Sequence, residues 1–141
     1  GNLMRDRGNE FGATTGRPRR CGWFDALVSR YSFQVNGFDS IAVMKLDVLD
    51  HFHEIPLCNA YEIDGKETST FPSHYSELEK AKPVYEMADG WAEPTRGVTE
   101  WNKLPDNAKR YLDYLQDASG VKIDFISTGP EKDELIEVNG V

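Results

Sequence analysis

Cysteine is scarce in this sequence. Cys21 and Cys58 are the only two among 141 residues, too few for a disulfide framework, so a reducing compartment such as the cytosol is the default reading. No apolar run approaches the roughly 20 residues that a membrane-spanning helix needs, and no secretory leader opens the chain. Positive charge is short too. The 16 Lys and Arg stand against 24 Asp and Glu, and the net charge of −8 argues against broad binding to nucleic acid or to an anionic membrane, since both require a basic face. There is no internal repeat, no low-complexity tract and no glycine-rich phosphate loop followed by Lys. The chain opens on Gly1 rather than Met and drops into a loop-like basic stretch, so it reads as a piece of a longer protein.

What is present suffices for one folded domain, with 39% hydrophobic and 28% charged residues over a length that buries a real core. In "FDALVSRYSFQVNGF" Phe24, Leu27, Val28, Tyr31 and Val35 share one helical face, with Asp25 as N-cap and Gly37 beyond the end. "SIAVMKLD" reads as a short strand buried on both faces, and a helix followed by such a strand is the rhythm of a parallel α/β sheet. "EIPLCNAYEIDG" predicts a strand ending at an Asp-Gly turn, with "KETSTF" returning antiparallel. Loops and brief helices are expected from Pro72 to Asn102. "LPDNAKRYLDYLQDASG" predicts a helix with Pro105 in its first turn, a stripe of Leu104, Ala108, Tyr111, Leu112 and Leu115, and Gly120 closing it. "VKIDFIS" follows as a strand with Val121, Ile123 and Phe125 on one face, ending in "STGP". Ligands of open α/β sheets gather at such strand ends.

Three short segments carry chemistry. In the first, "ATTGRPRR" (13–20), Gly12 and Gly16 allow close backbone approach, and Thr14 and Thr15 supply hydroxyl and amide donors. Arg17 and Arg19 each offer a fork to a carboxylate or phosphate, and Pro18 stiffens the loop between them. Five of the 16 basic residues crowd the first twenty positions against two acids, Asp6 and Glu10, so a bound anion is the natural counter-charge. The bland alternative is a solvated basic loop that neutralises nearby acids. In the second, Lys45-Leu46-Asp47, a carboxylate at a strand end suits the N1–H and 2-amino donors of guanine, a pair that adenine lacks, and the lysine stem suits the flat base. The alternative is an Asp that caps a helix in "DVLDHF". In the third, Ser127-Thr128-Gly129-Pro130, backbone amides and a hydroxyl suit a carbonyl such as guanine O6, although a lone tetrapeptide is also an ordinary turn. His51, His53, Glu54 and Cys58 match no strong zinc spacing, and the two cysteines read as packed small residues.

Together and in this order, "GNEFGATTGRPRRCGWFD", "KLDVLD", "LPDNAKRYLDYL" and "DFISTGP" resemble the C-terminal third of the adenylosuccinate synthetase family, over essentially the whole chain, residues 1–141. The resemblance implies an α/β fold: part of a mostly parallel sheet with flanking helices, from a P-loop-NTPase-like parent that here lacks its N-terminal phosphate-loop portion. It implies a purine-biosynthesis ligase that joins IMP and L-aspartate at the expense of GTP, with Mg²⁺ on the phosphates, in a cytoplasmic homodimer. Within loop 12–20, residues Ala13, Thr14, Thr15, Gly16, Arg17 and Arg19 match the family's aspartate-binding loop. Arg17 reaches both IMP and aspartate, and Arg19 lies between aspartate and the GTP phosphates. In 44–47, Lys45, Leu46 and Asp47 match the guanine-reading strand end, with Asp47 as the discriminating acceptor. In 127–130, Ser127, Thr128 and Gly129 match the second wall of that pocket. The family's phosphate loop, catalytic Asp and catalytic His lie upstream, and His51, His53 and His74 do not match the last. No catalytic residue and no metal ligand is therefore expected in this chain. A guanine-nucleotide-binding module without turnover, or an inert piece with exposed apolar edges, are the other outcomes.

Overall fold

Asp25 does what its position predicts. In the computed structural model, which describes residues 1–138, its side chain accepts from Leu27 N at 3.0 Å and Val28 N at 3.1 Å, starting helix α2 (Ala26–Asn36). Gly37 stops that helix at φ 65°, a left-handed conformation that costs glycine nothing. The same Asp25 accepts the Tyr61 hydroxyl at 2.5 Å, so the cap is tied into the sheet. Burial and this carboxylate push the Tyr61 hydroxyl well above its ordinary pKa. Asp25→Ala removes a cap and strands a buried hydroxyl, a loss expected at about 2–4 kcal/mol. Denaturant melts of the chain check that figure.

The remaining elements run in this order: helix α1 (Asn2–Arg7), β1 (Phe24–Asp25), β2 (Ile41–Val43), β3 (Glu54–Ile63), β4 (Lys66–Thr68), α3 (Tyr75–Leu78), β5 (Lys82–Asp89), α4 (Asp106–Ser119), β6 (Ile123–Ser127) and β7 (Leu135–Glu137). Short 3₁₀ turns at Leu46–Leu49 and Trp101–Lys103 complete it. Two sheets form. In the first, β3 runs parallel to β1 and antiparallel to β4 and β5; in the second, β6 runs parallel to β2 and antiparallel to β7. The expectation of a mostly parallel sheet is therefore corrected. Both sheets are mixed, because short returns such as Asp64-Gly65, with φ of 50° and 78°, can join only antiparallel neighbours.

Strand β5 is a second correction, since 72–102 is expected to hold only loops and brief helices. Its charged and proline-bearing sequence hides a strand because it pairs on one side alone, with β3, where Pro83 is tolerated. A third concerns β2. Read as buried on both faces, it stands at a sheet edge with Ala42 and Met44 exposed. A fourth concerns Phe125. Ile41 and Ala42 pair with Ile123 and Phe125, so Asp124 is an extra residue, a bulge that turns Ile126 inward and leaves Phe125 39% exposed. Of the apolar face expected on α2, Leu27 is buried, whereas Val28, Tyr31 and Val35 are exposed. Tyr31 stacks on Phe71, centroids 4.6 Å apart.

Helix α4 has the expected stripe. Ala108, Tyr111, Leu112 and Leu115 are buried against Ile55 and Leu57 of one sheet and Ile123 and Ile126 of the other, so this helix unites both. Each of the two leucines stabilises the fold by about 1.5–3 kcal/mol, and the Ala108 methyl by about 0.8 kcal/mol. Burial pushes the Tyr111 hydroxyl up to about 12. Pro105 occupies the N-cap position, one residue before its expected place, and Gly120 closes the helix at φ 67°. Among the described residues no helix is long and apolar enough to cross a membrane.

Candidate functional site

The arginine-rich segment folds into a hairpin. Phe11 and Pro18 form an antiparallel bridge, Arg19 N donates to Glu10 O at 3.0 Å, and Gly12 N donates to Arg17 O at 2.8 Å. Gly16 N closes the tip on Gly12 O, with Gly16 at φ 64°. Ala13, Thr14, Thr15, Gly16 and Arg17 are exposed on that tip. Among the described residues the Arg17 guanidinium has no hydrogen-bond or ion-pair partner. Arg19 differs: its Nη1 donates to Glu10 Oε2 at 3.0 Å. Part of the counter-charge that the crowded arginines require is thus internal.

Glu10 also receives Lys45. The Lys45 ammonium donates to Gly8 O at 2.6 Å and to Glu10 Oε1 at 2.5 Å. The Lys45 hydrogen bond, with help from Arg19, holds the Glu10 carboxyl below its ordinary range against a smaller opposing effect of burial. Lys45 itself is left-handed, at φ 61°. A hollow of about 390 Å³, the size of a small-molecule pocket, opens between the hairpin base and this strand end, lined by Glu10, Arg19, Trp23, Met44, Lys45 and Leu46 among others. Asp47 and Ser127–Gly129 do not line it.

Asp47 lies in the 3₁₀ turn, after the fully buried Leu46 that pins it. The capping alternative fails here, because the turn's N-cap is Lys45. Asp47 Oδ1 is buried without a hydrogen-bond partner among the described residues. Burial raises the Asp47 pKa, Arg96 opposes the rise, and Asp50 and Glu134 add to it. Glu134 connects this point to the third segment. Its carboxylate packs on Gly129 where any Cβ would stand, and Oε2 accepts from Glu131 N at 2.9 Å. The turn after β6 therefore lies on the same side of the molecule as Asp47.

Within that turn Ser127, Thr128 and Gly129 are buried. The Ser127 hydroxyl donates to Gly129 O at 2.9 Å and the Thr128 hydroxyl to Val98 O at 2.7 Å. Thr128 thereby fastens the loop that carries Arg96. Asp50 fastens the same loop from its other end. Buried, it accepts from Trp91 Nε1 at 2.7 Å, Thr95 N at 2.9 Å and Thr95 Oγ1 at 2.7 Å. Sequence reasoning passed over Glu10, Asp50, Arg96 and Glu134 as site residues. Only Glu10 left a trace, as an acid amid arginines.

The hairpin is thus joined to Lys45 through Glu10, while Asp47 and the 127–130 turn are related through the field of Glu134, which raises the Asp47 pKa. The fold that carries them is that of a solved enzyme. The structure of fully ligated adenylosuccinate synthetase from Plasmodium falciparum superposes with a TM-score of 0.91 at 35% identity, over 99% of this chain and 34% of that one. The sequence model of the adenylosuccinate synthetase family matches residues 1–136. Adenylosuccinate synthetases from Solibacter usitatus and Bifidobacterium adolescentis are 49% and 46% identical over 96% and 100% of the chain. The chain belongs to the adenylosuccinate synthetase family, ligases of purine biosynthesis. It spans about a third of the length of these curated relatives, 31% and 33%.

Proposed function

We propose that this chain is the C-terminal portion of an adenylosuccinate synthetase and supplies its aspartate-binding hairpin and its guanine pocket. The observation that carries the reading is Asp47 Oδ1, buried and without a hydrogen-bond partner among the described residues. A buried carboxylate oxygen without a donor costs about 1–3 kcal/mol, and a guanine edge offers the donors that offset this. Asp47 would accept N1–H and the 2-amino group. The stem of Lys45, its ammonium held by Gly8 and Glu10, would cover one base face together with Leu46. Ser127 and Gly129 would face O6, and Thr128 would hold that wall in place.

In the reaction this family name implies, the γ-phosphoryl group of GTP passes to O6 of IMP. The aspartate amino nitrogen then forms a bond to C6, the C6–O bond breaks, phosphate leaves with the electron pair, and the nitrogen loses a proton. The hairpin would hold the aspartate dicarboxylate through the free donors of Arg17, with Ala13, Thr14, Thr15 and Gly16 supplying backbone and hydroxyl contacts. Arg19 would stand between that carboxylate and the phosphates, where it screens charge as the two approach. Among the described residues no three of His, Cys, Asp and Glu gather to hold a metal ion.

The test is turnover. The full polypeptide encoded by the reading frame around these residues is expected to form adenylosuccinate from IMP, L-aspartate and GTP, while the 141-residue chain alone forms none. Absence of product from the full polypeptide contradicts the reading. One observation favours a second outcome for the chain by itself, a non-catalytic fragment that binds guanine nucleotide weakly or not at all. Among the described residues strand β2 is unpaired along one edge, and Met44 is 62% exposed. Calorimetry of the chain with GDP, and with ADP as control, separates weak specific binding from none. The homodimer and the cytoplasmic location of the family belong to this proposal as well.

A further inference from the structure

Glu10 joins two elements that the proposed function gives to different ligands. Its Oε2 holds Arg19 of the hairpin at 3.0 Å, its Oε1 holds Lys45 of the strand end at 2.5 Å, and its backbone carbonyl accepts Arg19 N. Lys45 stands two residues before Asp47, in a left-handed conformation unfavourable for a residue with a side chain. Its ammonium is held by two bonds, both to the hairpin's own base, Gly8 O and Glu10. Setting the hairpin thus sets Lys45, and with it the turn that carries Asp47. Resting on the proposed function, we propose that Glu10 is a positioning residue that couples the amino-acid subsite to the guanine subsite, so that occupying one pre-orders the other.

The direction follows from the geometry. Glu10 engages one nitrogen of Arg19 and leaves the other donors of the guanidinium for an incoming anion. When L-aspartate orders the hairpin, the carboxylate that grips Lys45 is ordered with it. A guanine nucleotide arriving next meets a turn whose ordering cost has already been met. Reciprocity requires GDP to tighten L-aspartate by the same factor. A neutral amide still fills the space, but it loses the charge that serves two cations at once.

The experiment is calorimetry on the full polypeptide with saturating IMP, using GDP, which lacks a transferable γ-phosphoryl group, and L-aspartate as probes. In the wild type, saturating L-aspartate is expected to tighten GDP roughly fivefold or more. In Glu10→Gln that ratio is expected to fall below about twofold, whatever the separate affinities do, since a merely structural change shifts both affinities and spares the ratio. Glu10→Asp keeps the charge but is one methylene too short to span both partners, and it is expected to lose the ratio too. It covers the case in which Glu10→Gln does not fold. A wild type without coupling, an undiminished ratio in either folded variant, or failure of both variants to fold overturns the assignment. Arg17→Ala and Asp47→Asn test the underlying reading separately. If they selectively weaken L-aspartate and GDP while Glu10→Gln keeps the ratio, only the coupling role falls. If they bind both probes as the wild type does, the site assignment itself falls.

Discussion

Asp47→Asn in the full polypeptide is expected to raise the KM for GTP by roughly 10- to 100-fold, the loss of a charged double hydrogen bond of about 1.5–3 kcal/mol. An amide accepts from one of the two guanine donors and turns its own NH₂ toward the other, so one contact becomes a clash of donors. ITP offers only the N1–H, has less to lose, and the preference for GTP over ITP should shrink with it. Acid should mimic the substitution. Burial raises the Asp47 pKa, so the carboxylate takes up its proton at a higher pH than a free aspartate does, and the acceptor is lost as pH falls through that raised value. The stability effect has the opposite sign. A group whose folded pKa is raised favours the fold below the unfolded pKa and loses that contribution as pH rises through the folded one. At neutral pH the ionised Asp47 therefore costs stability, and Asp47→Asn should melt higher while binding GTP worse. KM measurements with GTP and ITP, repeated across acid pH, and a melt of the variant check all three. Discrimination left intact would remove Asp47 from the role of reader.

Arg17→Ala is expected to raise the KM for L-aspartate by about 30-fold or more, corresponding to a loss of about 2 kcal/mol, while the GTP KM moves less than about threefold. The asymmetry comes from the hairpin. Arg19 is already tied to Glu10, whereas Arg17 sits on the exposed tip with its donors free, so the two arginines are not interchangeable. The hairpin itself should survive the substitution, since Arg17 takes part in its hydrogen bonds through backbone atoms, Gly12 N to Arg17 O and Arg17 N to Thr15 Oγ1. Arg17→Lys should recover only part of the loss, because an ammonium cannot reproduce a planar fork on a carboxylate. Steady-state kinetics with each substrate varied in turn give the answer. Unchanged L-aspartate kinetics in Arg17→Ala would end the assignment of the hairpin.

The elements legible in the sequence were those whose cause is local. Asp25 and Gly37 bracket α2, Asp64-Gly65 turns β3 into β4, and the stripe of α4 ends at Gly120, because capping, turn conformation and helical spacing act within a few residues. The misread elements depend on neighbours far away in the chain. Strand β5 exists because β3 offers it an edge, and Phe125 turns outward because Asp124 is an unmatched residue against β2. The apolar run of β2 gives its burial preference but not the number of strands beside it. The site divides in the same way. The three short segments stand out by their own chemistry. The residues that connect them do not: Glu10 meets Lys45 across 35 positions and Asp50 meets Thr95 across 45. No short-range signal marks those pairings.

The most direct measurement is a crystal structure of the full polypeptide with GDP and IMP. The guanine is expected between the Lys45–Asp47 turn and Ser127–Gly129, with Asp47 Oδ1 within hydrogen-bond distance of N1 or the 2-amino nitrogen. A base seated elsewhere, or an Asp47 Oδ1 that stays buried without a donor beside bound GDP, would contradict the account.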